Sequence, residues 1–395
     1  MNRESRRRAR EQLDSSWNDT EPAAVRESIA LAHAHGGILR TRRLGVVVAS
    51  YQMCHAVLRS THVAVDHNAA VSAFLEHEPF DLRRSLTAMN PPQHTRVRAA
   101  IAPLFRQITQ QPIDSIIDRF DSFVAQRAPV DLYTHLCEPL ARRRVAHLLG
   151  TEADALRAPA MALLGVYGQS IGGTRLATAA GDLRGLAAAA LATDAPAPHV
   201  LREAVAADLL DPSEALDVWC DLAVAGFHTT ALLLTWTLAA TLSGALALDP
   251  AEVIAGQPPA WWVSECLRSA SPTRVTGRVV IEPHSLGGLD VRRGELLTVW
   301  LEAANHDGHV FSDPYRLRRG RTDTPLAFGG GIHHCLGAPL AQQQLKEMLL
   351  ACVSAAPLAR IDDAARPSAS VFGGLTRLVV TFRPNDTHDG AARGS

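Results

Sequence analysis

Cys335 lies in the stretch LAFGGGIHHCLGAPL, residues 326–340, and its surroundings are the ones in this chain best suited to chemistry. Gly329, Gly330 and Gly331 free the backbone to turn sharply and to approach another group closely. Pro339, just beyond, marks the start of a helix. A cysteine at that point meets unpaired N–H groups and the positive end of the helix, which favour the thiolate, the form that binds metal or attacks a substrate. Several readings compete. The cysteine can be structural, held in a tight turn. A nucleophile needs a positioned base, and His333 and His334 are too close in sequence to serve obviously. Zinc needs three or four ligands, and no second Cys/His cluster supplies them. An axial thiolate on haem iron needs only one cysteine, because the porphyrin supplies four ligands of its own.

A second constellation, Ala225-Gly226-Phe227-His228-Thr229-Thr230, interrupts the apolar run WCDLAVAGFHTTALLLTWTLAATLSGALAL. Glycine inside a helix costs about 1 kcal/mol relative to alanine. Ala225 and Thr229, four residues apart, share a helical face. The bland account is a core histidine with satisfied hydrogen bonds and a threonine bonded back to the carbonyl four residues earlier.

Paired charges complete the set. Glu265-Cys266-Leu267-Arg268 is spaced for an ion pair on one helical turn, which alone says little. In Met89-Asn90-Pro91-Pro92-Gln93-His94-Thr95-Arg96-Val97-Arg98, His94 and Arg98 can present donors from one face to an anion.

Phe328-Gly329-Gly330-Gly331-Ile332-His333-His334-Cys335-Leu336-Gly337 resembles the F-G-x-G-x-H-x-C-x-G pattern of the haem-thiolate monooxygenases, the cytochrome P450 superfamily. The resemblance extends from about 40 to 382, with the other motifs in order. It implies that Cys335 ligates the iron of haem b (iron protoporphyrin IX), that Phe328 packs over the thiolate in the loop that includes Gly329, and that His333 reaches a propionate. His94 and Arg98, in a segment similar to D-P-P-E-H-T-R-x-R with Asn90 and Gln93 in place of the acids, are implied propionate partners. Arg278, with Gly288 ten residues on, is the third. Glu265 and Arg268 match the E-x-x-R pair that holds the loop beneath the haem, with Arg321 as its expected third partner. Ala225, Gly226 and Thr229 match [A/G]-G-x-[D/E]-T on the distal helix. There Gly226 is expected to leave room for dioxygen and Thr229 to order the water that delivers protons.

His228 departs from that pattern, standing where the family has Asp or Glu. It can relay protons near neutral pH in place of the acid, or it can be held inertly. Three functions remain open on this reading. The first is oxygen insertion into a small organic substrate, a secondary-metabolite intermediate. The second is oxidative C–C or C–N coupling or cyclisation of an aromatic natural product, such as a cyclic dipeptide, phenol or indole, without oxygen insertion. The third is a haem protein of binding or sensing. The pocket is expected to draw on residues 65–88 and 165–175, on Ala223 and Phe227, on Thr273 to Thr276 including Val275, and on Val371 to Gly374 including Phe372. The resemblance implies electrons drawn from NAD(P)H through a separate ferredoxin or flavodoxin and its reductase.

The elements that must position these residues follow from the patterning. AAVRESIALAHAHG, YQMCHAVLRS, HTRVRAAIAPLF, IDSIIDRFDSFVAQ, CEPLARRRVAHLLG, APAMALLGVYGQS, AWWVSECLRSA and QQQLKEMLLACVSA have helical spacing. GGILRTRRLGVVVAS and SVFGGLTRLVVTF read as hairpins, and TGRVVIEPHSLGGLDVRRGELLTVW as short strands. The expected architecture is mainly α with a smaller β portion, one large domain over 21–383 with haem between a long distal helix and a proximal cysteine loop. Residues 1–20 and 384–395 read as disordered tails.

Net charge of −1 gives no argument for nucleic acid. Six scattered cysteines without a C-x-x-C pair fit a reducing, cytoplasmic compartment. Leu222 to Leu248 lacks Asp, Glu, Lys and Arg and is long enough to span a bilayer. Its many Thr, Ser and Gly, with Asp221 and Asp249 at its ends, favour a buried central helix, and no anchor is expected.

Overall fold

The computed structural model describes residues 3–17, 19, 21–65, 85–108, 122–123, 125–126, 128–165, 173–245, 250–252, 258–355, 359–367 and 371–382. Most of the expected pocket stretches 65–88 and 165–175, most of the helix expected at IDSIIDRFDSFVAQ, and the C-terminal tail lie outside the described residues.

The strands in chain order are β1 (Ile38–Arg40), β2 (Val46–Val48), β3 (Val63–Ala64), β4 (Val130–Asp131), β5 (Val275–Val280), β6 (His284–Leu286), β7 (Leu289–Val291), β8 (Leu296–Trp300), β9 (Ala359–Ala365) and β10 (Arg377–Phe382). β1, β2, β8, β5 and β3 form one sheet in that order. β1 and β2 are the expected antiparallel hairpin, β2 runs parallel to β8, and β5 pairs antiparallel with β8, setting Arg278 opposite Leu297. The run of valines in β2 is buried along its length, as a strand covered on both faces must be.

Helices make up the larger part. Glu138–Leu149, Ala153–Leu164, Gly173–Ala190 and Pro196–Ala206 surround the helix Pro212–Gly226, and their apolar stripes form the largest hydrophobic cluster. Asp211 opens Pro212–Gly226 with a capping box: its carboxylate accepts from Glu214 N–H, and the Glu214 carboxylate accepts from Asp211 N–H. His228–Leu242 continues the same line against Ala260–Ala270 and Ala338–Ala355, over a second cluster that includes Trp262, Leu345 and Met348. Residues 212–242 together are apolar and long enough for a membrane crossing, and 61% of their most apolar stretch is buried inside the protein, which fits the central-helix reading.

Two expectations need correction. The stretch 1–20, read as a disordered tail, contains the helix Arg3–Ser16. Ala9, Leu13 and Trp17 lie four apart and are buried, and the Trp17 ring meets Trp300 edge-on at 5.0 Å. The charged face of this helix, rich in Arg and Glu, conceals that stripe in the sequence. The C-terminal hairpin expected at 370–382 is also absent: only β10 is a strand, and it pairs with β9 and β4. Phe372 instead forms a bridge with Thr273.

Candidate active site

Cys335 sits in the turn between a short 3-10 helix, Gly331–His333, and the helix Ala338–Ala355. Its N–H donates to the Phe328 carbonyl at 2.9 Å, closing the loop on itself. Among the cysteines it alone is exposed. Enclosure by surrounding protein raises its thiol pKa, while the backbone N–H groups of Gly337 and Ala338 and the charge of Arg98 oppose that rise. Gly331 has φ +65°, and a side chain there would strike the Leu58 carbonyl, so the helix Tyr51–Arg59 backs directly onto the loop.

Three of the four predicted anion-binding residues, His94, Arg98 and His333, gather at this loop. Arg98 donates to the His334 carbonyl at 2.7 Å. The rings of His94 and His333 are 4.3 Å apart. Both ring nitrogens of His94 are buried and lack a hydrogen-bond partner in the described structure. Arg278, buried on β5, donates only to neutral oxygens, Thr276 Oγ1 at 3.1 Å and the Gly277 carbonyl at 2.7 Å. Burial pushes its pKa down to about 10. A buried guanidinium without a carboxylate among the described residues, together with unused histidine donors, calls for an anion.

The predicted ionic support is assembled behind the loop. Arg268 grips Glu265 with two bonds of 2.7 and 3.0 Å and donates to the carbonyls of Asn305, Pro314 and Arg316. Arg321 reaches Glu265 at 3.1 Å, and the Arg318 N–H donates to the same carboxylate. Burial would raise the Glu265 pKa; the bonds and charge of Arg268 outweigh that and hold it below its usual range.

On the other side, the distal helix breaks at Phe227, between Gly226 and His228. Thr229 and Thr230 donate to the carbonyls of Ala225 and Gly226 at 2.9 and 3.0 Å, and hydroxyls that bond back in this way bend helices. Ala225 is exposed and Thr229 partly so. A side chain at Gly226 would meet Val145 Cγ2 at 2.9 Å, on the helix Glu138–Leu149. The smallness of Gly226 serves close helix packing. His228 is buried; its Nδ1 lies 3.3 Å from the Tyr133 hydroxyl, and its ring meets Phe372 edge-on at 5.3 Å. Burial pushes its pKa down to about 4, so the imidazole is neutral at neutral pH.

The expected pocket residues divide. Phe227 and Ala223 are fully buried in the main cluster, and Val275 is buried in the N-terminal cluster with Trp17 and Trp300. Thr276, on the opposite face of β5 from Val275, is partly exposed, and Phe372 is buried against His228.

Three participants escaped the sequence reading. Tyr133, in a π-helical turn Tyr133–Cys137, gives no local signal of its partner. Glu302 is buried between Arg274 and Arg366, at 2.5 and 3.1 Å, and ties the start of β5 to the segment beyond β9. Its charge amid VWLEAAN is a visible anomaly. Asp221, one turn before Ala225 on the distal helix, accepts from the Leu86 N–H at 2.5 Å, and the i, i+4 spacing was there to see.

The sequence model of one family, Cytochrome P450, matches residues 260–355. Nocardicin C N-oxygenase of Nocardia uniformis subsp. tsuyamanensis is 30% identical over 308 residues, covering 70% of this chain and 73% of that protein. Mycinamicin VIII C21 methyl hydroxylase of Micromonospora griseorubida is 28% identical over 370 residues, covering 85% and 90%. The crystal structure of CalO2 superposes with a TM-score of 0.78 at 21% identity, over 94% of this chain and 97% of that one, a likeness of fold.

Proposed function

Because the chain belongs to the cytochrome P450 superfamily, we propose that this oxidoreductase inserts oxygen into a small organic substrate, an intermediate of secondary metabolism. Electrons are drawn from NAD(P)H through a separate ferredoxin or flavodoxin and its reductase, in the cytoplasm. Support for the substrate class comes from the relatives, named as an N-oxygenase of nocardicin C and a methyl hydroxylase of mycinamicin VIII.

The observation that carries the reading is the exposed Cys335 beside donors that call for an anion. These residues fit haem b: Cys335 would ligate the iron, and His94, Arg98, Arg278 and His333 would hold the propionates. Bound there, haem supplies dioxygen activation with electrons received one at a time. The protein's part is to position and to move protons. The loop of Phe328 and Gly329 fixes Cys335, and Glu265, Arg268 and Arg321 brace the backbone behind it. Thr229 donates its hydroxyl proton to the Ala225 carbonyl, leaving its oxygen free to accept from a water on the exposed face beside Ala225.

His228 does not fit the role of the usual acid. As a neutral imidazole beside the Tyr133 hydroxyl, it lacks at neutral pH the extra proton that an imidazolium would release as an acid. That observation favours a second reading, coupling or cyclisation of an aromatic substrate without oxygen insertion.

The reduced, carbon-monoxide-bound protein is expected to show the red-shifted Soret band of a thiolate ligand, and Cys335→Ser to lose it; a band retained by that variant overturns the haem-thiolate assignment. Product mass after turnover in labelled dioxygen separates the readings, since insertion adds the label and coupling does not. His228→Asp is expected to raise productive turnover relative to peroxide release if oxygen insertion is the reaction.

A further inference from the structure

Asp221 is a half-buried carboxylate with no counter-ion among the described residues. It sits on the helix Pro212–Gly226, one turn before the exposed Ala225, so the two share one face of that helix, just ahead of the break at Phe227. Its carboxylate accepts from the Leu86 N–H at 2.5 Å and also bonds the Ser85 side chain, at the point where the chain returns toward His94 and Arg98. No arginine, lysine or histidine pairs with it among the described residues. The nearest acid, Asp217, is taken by Arg184 of the helix Gly173–Ala190. Burial pushes the Asp221 pKa up to about 7; the two hydrogen bonds lower it, and Asp217 adds to the rise. The same reasoning that reads the lone cation of Arg278 as a seat for an anion reads a lone carboxylate as a seat for a cation.

Resting on the oxidase reading above, we propose that Asp221 binds a positively charged nitrogen of the substrate, so that the substrate class is small organic molecules carrying an ammonium group. At 1.5 Å per helical residue, that nitrogen would sit about 6 Å along the helix from Ala225, on the near side of the break at Phe227. The carboxylate keeps its Leu86 and Ser85 bonds in this role, since each oxygen can accept more than one donor.

The test uses the haem-loaded protein and paired probes of equal shape: ω-phenylalkyl-trimethylammonium ions with three to six methylenes, and the isosteres in which tert-butyl replaces trimethylammonium. A quaternary nitrogen neither titrates nor ligates iron. Equilibrium dialysis is expected to show at least one ammonium probe binding about tenfold or more tightly than its isostere, a difference of about 1.4 kcal/mol. Asp221→Asn, which can still accept the Leu86 N–H, is expected to bring the pair within about twofold. In the wild type the ammonium affinity is expected to fall as pH drops below about 7 while that of the isostere stays flat, because protonation removes the carboxylate charge. Among the described residues, the other titratable or charged groups near Asp221 are Asp217, Arg184 and Cys220.

Equal binding of the pair, no binding of any ammonium probe, or discrimination that survives Asp221→Asn each overturns the proposal. So does a preference that appears only in Arg83→Gln or Arg84→Gln, two positions outside the described residues, because the counter-ion is then the protein's own. Loss of the carbon-monoxide band would count against the oxidase reading itself; a normal band without charge discrimination sinks only the role of Asp221.

Discussion

Arg268 and Arg278 lie ten residues apart and are equally hidden, 1% and 5% exposed, yet their surroundings are opposite. Arg268 has a two-bond grip on Glu265 and three backbone carbonyls besides. Arg278 has one hydroxyl and one carbonyl, and no carboxylate among the described residues. Desolvating a guanidinium costs several kcal/mol in either place. Where the protein meets that cost internally, the residue is scaffold; where it does not, the residue is kept for a molecule yet to arrive. The same division separates Glu265, surrounded by donors, from Asp221, which has hydrogen bonds but no cation among the described residues.

The contrast can be pushed hardest at Arg268. Arg268→Leu strands the Glu265 charge and is expected to lower stability by about 3–5 kcal/mol in urea unfolding, with or without haem. Next comes pH. His228 has its pKa depressed to about 4 from 6.5, so the unfolded chain takes up a proton that the folded one refuses. Its contribution is intact above pH 6.5 and lost as pH falls toward 4, by up to about 3 kcal/mol. His228→Phe is expected to flatten that part of a stability-against-pH curve, over a remaining slope from His306, whose pKa burial also pushes down to about 4. Gly226→Ala is expected to cost about 1–3 kcal/mol by overpacking against Val145, despite the better helix propensity of alanine, and Val145→Ala to recover most of it in a double-mutant cycle.

The smallest effect on stability is the most telling. Arg278→Leu is expected to leave haem-free unfolding within about 1 kcal/mol of wild type, while haem transfer to an acceptor apoprotein speeds up by about tenfold. If the haem-free protein instead loses as much as Arg268→Leu does, Arg278 is scaffold and the contrast collapses.

What the sequence made legible was local or strongly patterned. The cysteine loop, the β1–β2 hairpin and the Glu265–Arg268 pair follow from short motifs or spacing of one turn, and Arg321 was set beside that pair by the family resemblance alone. Facing was harder. Val275 and Thr276 are adjacent, but only the sheet decides that one meets Trp300 and the other Arg278. Gly226 looks like any glycine in a helix, and only the position of Val145 tells why a side chain is refused there. His228 could have turned toward Thr229; Tyr133, nearly a hundred residues away, holds it elsewhere. β9 was missed because ARIDDAA is mostly exposed and polar, with little of the alternation that marks a half-buried strand.

The N-terminal helix has a practical meaning of its own. Leu13 and Trp17 share a cluster with Val275 and Trp300, at the start of β5 and the end of β8. The stretch that reads as a disordered tail therefore packs behind the strand carrying Arg278. A purification tag or a trimmed start would disturb that packing, and preparations that differ only in their first seventeen residues would differ in how well they keep their colour.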